Sequence, residues 1–200
     1  FLIESLSASR ATRVCQKALW ETSTTTAWHT GLPFIFDIQP LVTNADRADA
    51  LTRLRAVAGY INTEIENLTL GLAQGYSSPR LTVTEVPEQV RALLQPDNPF
   101  LNMGKRSDNP LFQDAVQREY EQSIQPALNR FADFIETQYL PKARENIAIS
   151  GNPNGAQCYT ALVRAFSTLP ATPAEIHRSG HAQMASIRGE MREVIDTHFD

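Results

Sequence analysis

The sequence predicts an all-α fold of five or six mostly antiparallel helices, several of them long and proline-kinked. Three observations carry this. Apolar residues recur at steps of three and four through Asp46–Gln74, through Leu111–Tyr139 and through the stretch after Pro173. The breaks between these stretches are rich in proline and asparagine. The last of these stretches opens on the clearest helix start in the chain, at Thr172.

Taken in order, residues 1–20 suit a helix. Residues 22–42 change character, with Thr22, Ser23, Thr24, Thr25 and Thr26 followed by Trp28, Pro33, Phe34, Ile35, Phe36 and Pro40. Their β-branched and aromatic content predicts an extended, partly buried connection, with a short hairpin as the alternative. From Asp46 to Gln74, Leu51, Leu54, Ala58, Ile61, Ile65, Leu68 and Leu72 line one face, and Gly75 stands where a helix stops. Val83, Val86, Val90 and Leu94 predict a next helix, broken at Pro87 or starting only near Thr84. Residues 95–110, with Pro96, Pro99 and Pro110, read as a loop. The helix that follows carries Phe112, Val116, Tyr120, Ile124, Leu128, Phe131 and Ile135 on one side, with a kink at Pro126 and an end at Pro141. A second loop over 150–155 precedes a helix whose Tyr159, Leu162, Val163 and Phe166 are expected to face inward. Thr172-Pro173-Ala174-Glu175 is a capping box with Pro at the first helical position. Ile176, Gly180, Met184, Ile187, Met191, Val194 and Ile195 form the stripe of the last helix.

At 200 residues and 42% hydrophobic content, the expectation is a single helical domain over 1–200. The opening Phe1-Leu2-Ile3 and the uncapped end at Asp200 lead us to expect a fragment of a larger protein. A net charge of −4, with scattered arginines, gives no reason to expect nucleic acid as partner. No apolar run approaches the roughly 20 residues that span a bilayer. Cys15 and Cys158 either pair in an oxidising compartment or stand as two buried thiols.

The residues that suggest chemistry are few. His177 and His181 have the i, i+4 spacing with which zinc peptidases hold their metal. Arg178 nevertheless occupies the position where that mechanism needs a carboxylate to activate water. Glu190, the nearest candidate third ligand, lies about half a helical circumference from His181. The pair is therefore set aside as a metal site, one histidine expected packed and the other wet. His29 is expected to be a satisfied loop histidine, and Cys158 and Tyr159 core residues. Glu64 with Glu66, Glu119 with Glu121, and Glu190 with Glu193 read as solvated helix faces. There is no G-x-S-x-G turn, phosphate-binding glycine loop or C-x-x-C. No catalytic, cofactor-binding or metal residue is assigned.

Collinear segments resemble one family. They are Leu54-Arg55-Ala56-Val57-Ala58-Gly59-Tyr60-Ile61, Gly71-Leu72-Ala73-Gln74-Gly75-Tyr76 with Pro79-Arg80, Asn98-Pro99-Phe100, Tyr139-Leu140-Pro141, and Thr172-Pro173-Ala174-Glu175-Ile176-His177. In order and spacing they are similar to the bacterial family catalogued as domain of unknown function 885, over most of residues 40–195. The resemblance implies a considerably longer, mostly helical protein, exported or lipid-anchored in the bacterial periplasm or envelope. It also implies a zinc motif of the H-E-x-x-x-G-H type downstream and metallopeptidase-like hydrolysis of a peptide substrate. No residue of that motif is present in this chain, so zinc belongs to the full-length parent. The C-terminal catalytic portion would then be the main partner of this helical portion. Cys158 departs from the aromatic expected there, and His181 from an apolar or acidic residue. The alternative from another class is a helical binding or scaffolding module without catalysis. A helical homo-oligomer built on the Asp46–Gln74 heptads is a third.

Overall fold

A computed structural model describes residues 2–199, and among them the fold is all-α, 76% helical, with no strand. The lone extended pairing there is an isolated bridge between Pro79 and Arg144. The packing divides the chain into two compact units. A central unit holds Gln16–Pro153, and a terminal unit joins Phe1–Cys15 to Asn154–Asp200.

The central unit is built on two long stretches. Helix α3 (Asn44–Ala73) follows α1 (Leu2–Ala11, in the terminal unit) and α2 (Trp28–Ile38) in chain order. It starts at a capping box, where Thr43 Oγ1 accepts from Asp46 N–H at 3.1 Å and the Asp46 carboxylate accepts from Thr43 N–H at 2.8 Å. Both orphan donors of the first turn are thus satisfied. Leu54, Ile61 and Leu68 of the predicted face are buried, joined by Val57, and Gly75 ends the helix at φ +82°. Each such aliphatic side chain taken out of water contributes about 1.5–3 kcal/mol. Gly71 admits no side chain, because a Cβ there would lie 1.8 Å from the Leu19 carbonyl oxygen.

Short helices α4 (Arg80–Val83), α5 (Val86–Ala92) and α6 (Pro99–Lys105) lead to the second stretch, α7 (Pro110–Glu119) and α8 (Gln125–Phe134). The expected kink at Pro126 takes a specific form. A five-residue π segment, Tyr120–Ile124, runs into α8, and another, Ile135–Tyr139, precedes Pro141. A proline leaves the carbonyl four residues back without its donor, and the widened π turn re-pairs the backbone just before each one. Leu128, Phe131 and Ile135 pack against α3 and α5. Trp28 meets Phe131 edge-on at 5.0 Å, and Phe36 meets Phe100 at 5.1 Å.

Two expected irregular regions are in part helical. Within 22–42, α2 places Trp28, Leu32 and Phe36 at steps of four against the core. The burial of that face outweighs the extended preference of its neighbours. Within 95–110, Asn98 Oδ1 accepts from Leu101 N–H at 3.2 Å and Pro99 takes the first helical position, so the residues read as breakers start α6. Asn109 and Pro110 do the same for α7. The helices accordingly outnumber the five or six expected.

In the terminal unit, α1 and the turn Thr12–Cys15 pack on α9 (Gly155–Ser167), and α10 (Pro173–His198) follows. The disulfide Cys15–Cys158 ties the turn to α9 and resolves the open choice in favour of pairing. Glu4 accepts both a 2.8 Å and a 3.0 Å hydrogen bond from the Arg164 guanidinium, bridging α1 to α9. No helix among the described residues is long and apolar enough to cross a membrane.

Candidate functional site

The chain's most conspicuous unsatisfied surface is apolar and lies on α9 and α10. The Thr172 capping box forms as predicted, with Glu175 N–H donating to Thr172 Oγ1 at 3.3 Å and Thr172 N–H to the Glu175 carboxylate at 2.7 Å. The Thr172 N–H, together with the Thr172 Oγ–H, holds the Glu175 carboxyl below its usual range. The helix so started runs 26 residues without burying one. Ile176, Met184, Ile187, Met191, Val194 and Ile195 are each 41% to 59% exposed. At 100° per residue they share one face, so the exposure is a continuous stripe rather than scattered side chains.

On α9, Tyr159 is half exposed and Phe166 is 85% exposed, which corrects the expectation that both face inward. Tyr159, Leu162, Val163 and Phe166 instead border an apolar depression of about 460 Å³, which Ile176 also lines. Helical periodicity identified the apolar side of each helix, but the turn Thr12–Cys15 and α1 cover only the side of α9 that carries Cys158.

His177 and His181 lie on α10, and both are exposed, whereas one was expected to be packed. Their Nε2 atoms are 3.0 Å apart with the rings perpendicular. Among the described residues no three His, Cys, Asp or Glu side chains come together as a metal would require. His177 and His181 alone therefore do not make up the donor set of a catalytic zinc.

The central unit offers polar groups with structural work. His29 belongs to α2 rather than to a loop, and its Nε2 sits 2.8 Å from Gln89 Oε1 while Nδ1 has no partner. Burial pushes its pKa down, the Gln89 contact opposing. Burial pushes the Glu64 carboxyl up, and with Glu64's help it raises the neighbouring Tyr60 phenol. A depression of about 740 Å³ is bordered by Arg47 and Arg106. Arg106 donates to the carbonyls of Phe36 and Gln39, and Arg47 to those of Leu41 and Val42, so both fasten the α2–α3 connection.

Comparison with known proteins gives a family and a fold. The family described as "Bacterial protein of unknown function (DUF885)" matches residues 2–200. No curated protein matches. Among solved structures, the "putative lipoprotein from Colwellia psychrerythraea" is 21% identical with a TM-score of 0.79. The similarity covers 90% of this chain and 33% of that one, so this chain spans about a third of the length of its relative. At that identity the likeness is one of fold.

Proposed function

The chain belongs to the bacterial DUF885 family, and from that premise we propose that it is the N-terminal helical portion of a zinc-dependent, peptidase-like hydrolase of the cell envelope. In this reading it forms one wall of a substrate cleft and packs against a catalytic portion that carries the zinc motif. The observation that supports it most is the α10 stripe, an amphipathic helix of 26 residues with no residue buried, in a chain matching a third of a longer relative. An apolar face of this length in water favours association with more protein. The disulfide and the lipoprotein name of the solved relative both favour an oxidising, extracytoplasmic setting.

The test compares this chain with a longer family protein containing it. Hydrogen exchange should be fast along α10 in the chain alone and slowed in the longer protein. Peptide hydrolysis should be found only in the longer protein and be lost to a zinc chelator. Equal exchange in the two removes the packing role, and no chelator-sensitive hydrolysis removes the peptidase reading.

The absence of a convergent donor set among the described residues favours a second reading, a helical binding module whose α9 and α10 faces hold a separate partner. It predicts that the longer protein leaves α10 as open to exchange as this chain does.

A further inference from the structure

The histidine pair fails as a peptidase centre because it lacks a carboxylate base and a third ligand. Neither objection bears on simple chelation. His177 and His181 are one turn apart on a regular helix whose cap is fully satisfied, so their backbone positions are fixed. Both rings are exposed, neither is in an ion pair, and each has the other as its hydrogen-bond partner. Without a cation, the 3.0 Å contact requires one ring to donate its Nε2–H while the other accepts.

The separation places both nitrogens within reach of one ion. Two imidazole nitrogens about 2.1 Å from a shared ion are about 3.0 Å apart when they subtend about 90°, and about 3.4 Å apart at the tetrahedral angle. The observed 3.0 Å is the length of the hydrogen bond between the rings, and small ring rotations bring the two nitrogens to either separation. A right angle between neighbouring ligands belongs to square-planar, tetragonal and octahedral ions, whereas four-coordinate zinc takes the wider angle. Imidazole suits copper and nickel, and copper(II) stands at the top of the divalent affinity order. Terminal torsions of histidine are broad, so small rotations of the two rings turn both lone pairs toward one point.

We propose that His177 and His181 form a surface chelate for a late first-row divalent cation, copper(II) or nickel(II), on the exposed edge of α10. Both histidines bind as neutral rings through Nε2, and each keeps its proton on Nδ1. Water fills the remaining positions in this chain. The pair borders the apolar stripe, because His177 lies about 20° around the helix from Met184 and His181 about 60°. A donor from whatever covers that stripe could therefore replace a water.

The proposal is independent of the peptidase reading and is tested on this chain alone. Calorimetric titration with copper(II) chloride, and separately with nickel(II) chloride, should give one ion per chain. Nickel should bind at least as tightly as zinc(II) chloride. His177→Gln and His181→Gln should each weaken binding roughly tenfold or more. His29→Gln and His198→Gln should leave it unchanged. Electron paramagnetic resonance of the copper complex should show two equatorial imidazole nitrogens, and circular dichroism should show α10 intact in every variant. Binding that survives His181→Gln, zinc bound clearly more tightly than nickel, or no binding by either cation overturns the assignment.

Discussion

The hydroxyl of Tyr139 accepts a 2.7 Å hydrogen bond from the backbone N–H of Ser78 and donates at 3.2 Å to the carbonyl of Trp20. One phenol thus joins three distant points of the central unit, and Tyr139 is fully buried. Ser78 Oγ–H donates to the same Trp20 carbonyl at 2.7 Å and accepts from Thr22 N–H at 3.3 Å. Burial raises the phenol pKa, so the group that makes these bonds is the neutral one. Tyr139→Phe keeps the ring's packing and strands the Ser78 N–H. The expected loss is about 1–3 kcal/mol in denaturant unfolding. A variant as stable as the parent would show that water replaces the hydroxyl.

Gly71 is expected to be the least tolerant position of α3. The 1.8 Å approach of its absent Cβ to the Leu19 carbonyl meets backbone, not a flexible side chain. Gly71→Ala gains helix propensity of about 1 kcal/mol, yet must push the Lys17–Leu19 turn away from α3. Net destabilisation of about 3 kcal/mol or more is expected, read by thermal melting. Gly59→Ala, on the same helix with nothing within 4 Å, is the control and should stabilise slightly.

His29 makes the central unit sensitive to mild acid. Its folded pKa is depressed below 6.5, so between the folded and unfolded values the unfolded chain binds more protons. Stability from this group is complete above about pH 6.5 and falls as the pH drops through the unfolded value toward the folded one. His29→Gln should remove that part of the pH dependence in unfolding curves between about pH 5 and 7. The lowered carboxyls of Asp46 and Glu175 act further down, where stability is lost as pH falls below their unfolded values. An unchanged slope between pH 5 and 7 in the variant would assign it to other groups.

Charge on the α10 stripe should cost this chain little. Ile187 and Met191 are half exposed here, so Ile187→Glu and Met191→Glu should each change melting of the chain by no more than about 0.5 kcal/mol. In a longer protein that covers the stripe, each buried and unpaired carboxylate should cost several times as much. Equal, small effects in both proteins would argue that the face stays wet.

How legible each feature was depended on whether its cause was local. Thr172 and Glu175 sit three residues apart and announce a helix start without reference to anything else. The α3 face from Leu54 to Leu68 likewise declares itself by repetition. Asn98-Pro99 and Asn109-Pro110 carry the same cap-and-proline signal, but so many breakers crowd that stretch that it resembles a loop. Trp28, Leu32 and Phe36 repeat at helical spacing for barely three turns, and only Phe131 and Phe100 across the core decide the outcome. For Phe166 and Ile187, the pattern shows which side of the helix is apolar and leaves open whether anything covers it. The spacing of His177 and His181 was plain, while their 3.0 Å nitrogen separation depends on ring rotamers that no pattern encodes.

The bond between Cys15 and Cys158 spans 143 positions and brackets the whole central unit. Chemically it makes the chain from Cys15 to Cys158 a closed ring, from which the residues on either side extend. A single peptide cleavage anywhere between those residues opens the ring without releasing a piece. α1 and α10 then stay parts of one molecule, with unchanged mass apart from the added water, until a reductant is supplied. Survival of a nicked form in a protease-rich compartment would in that case be governed by thiol chemistry rather than by the packing of either unit.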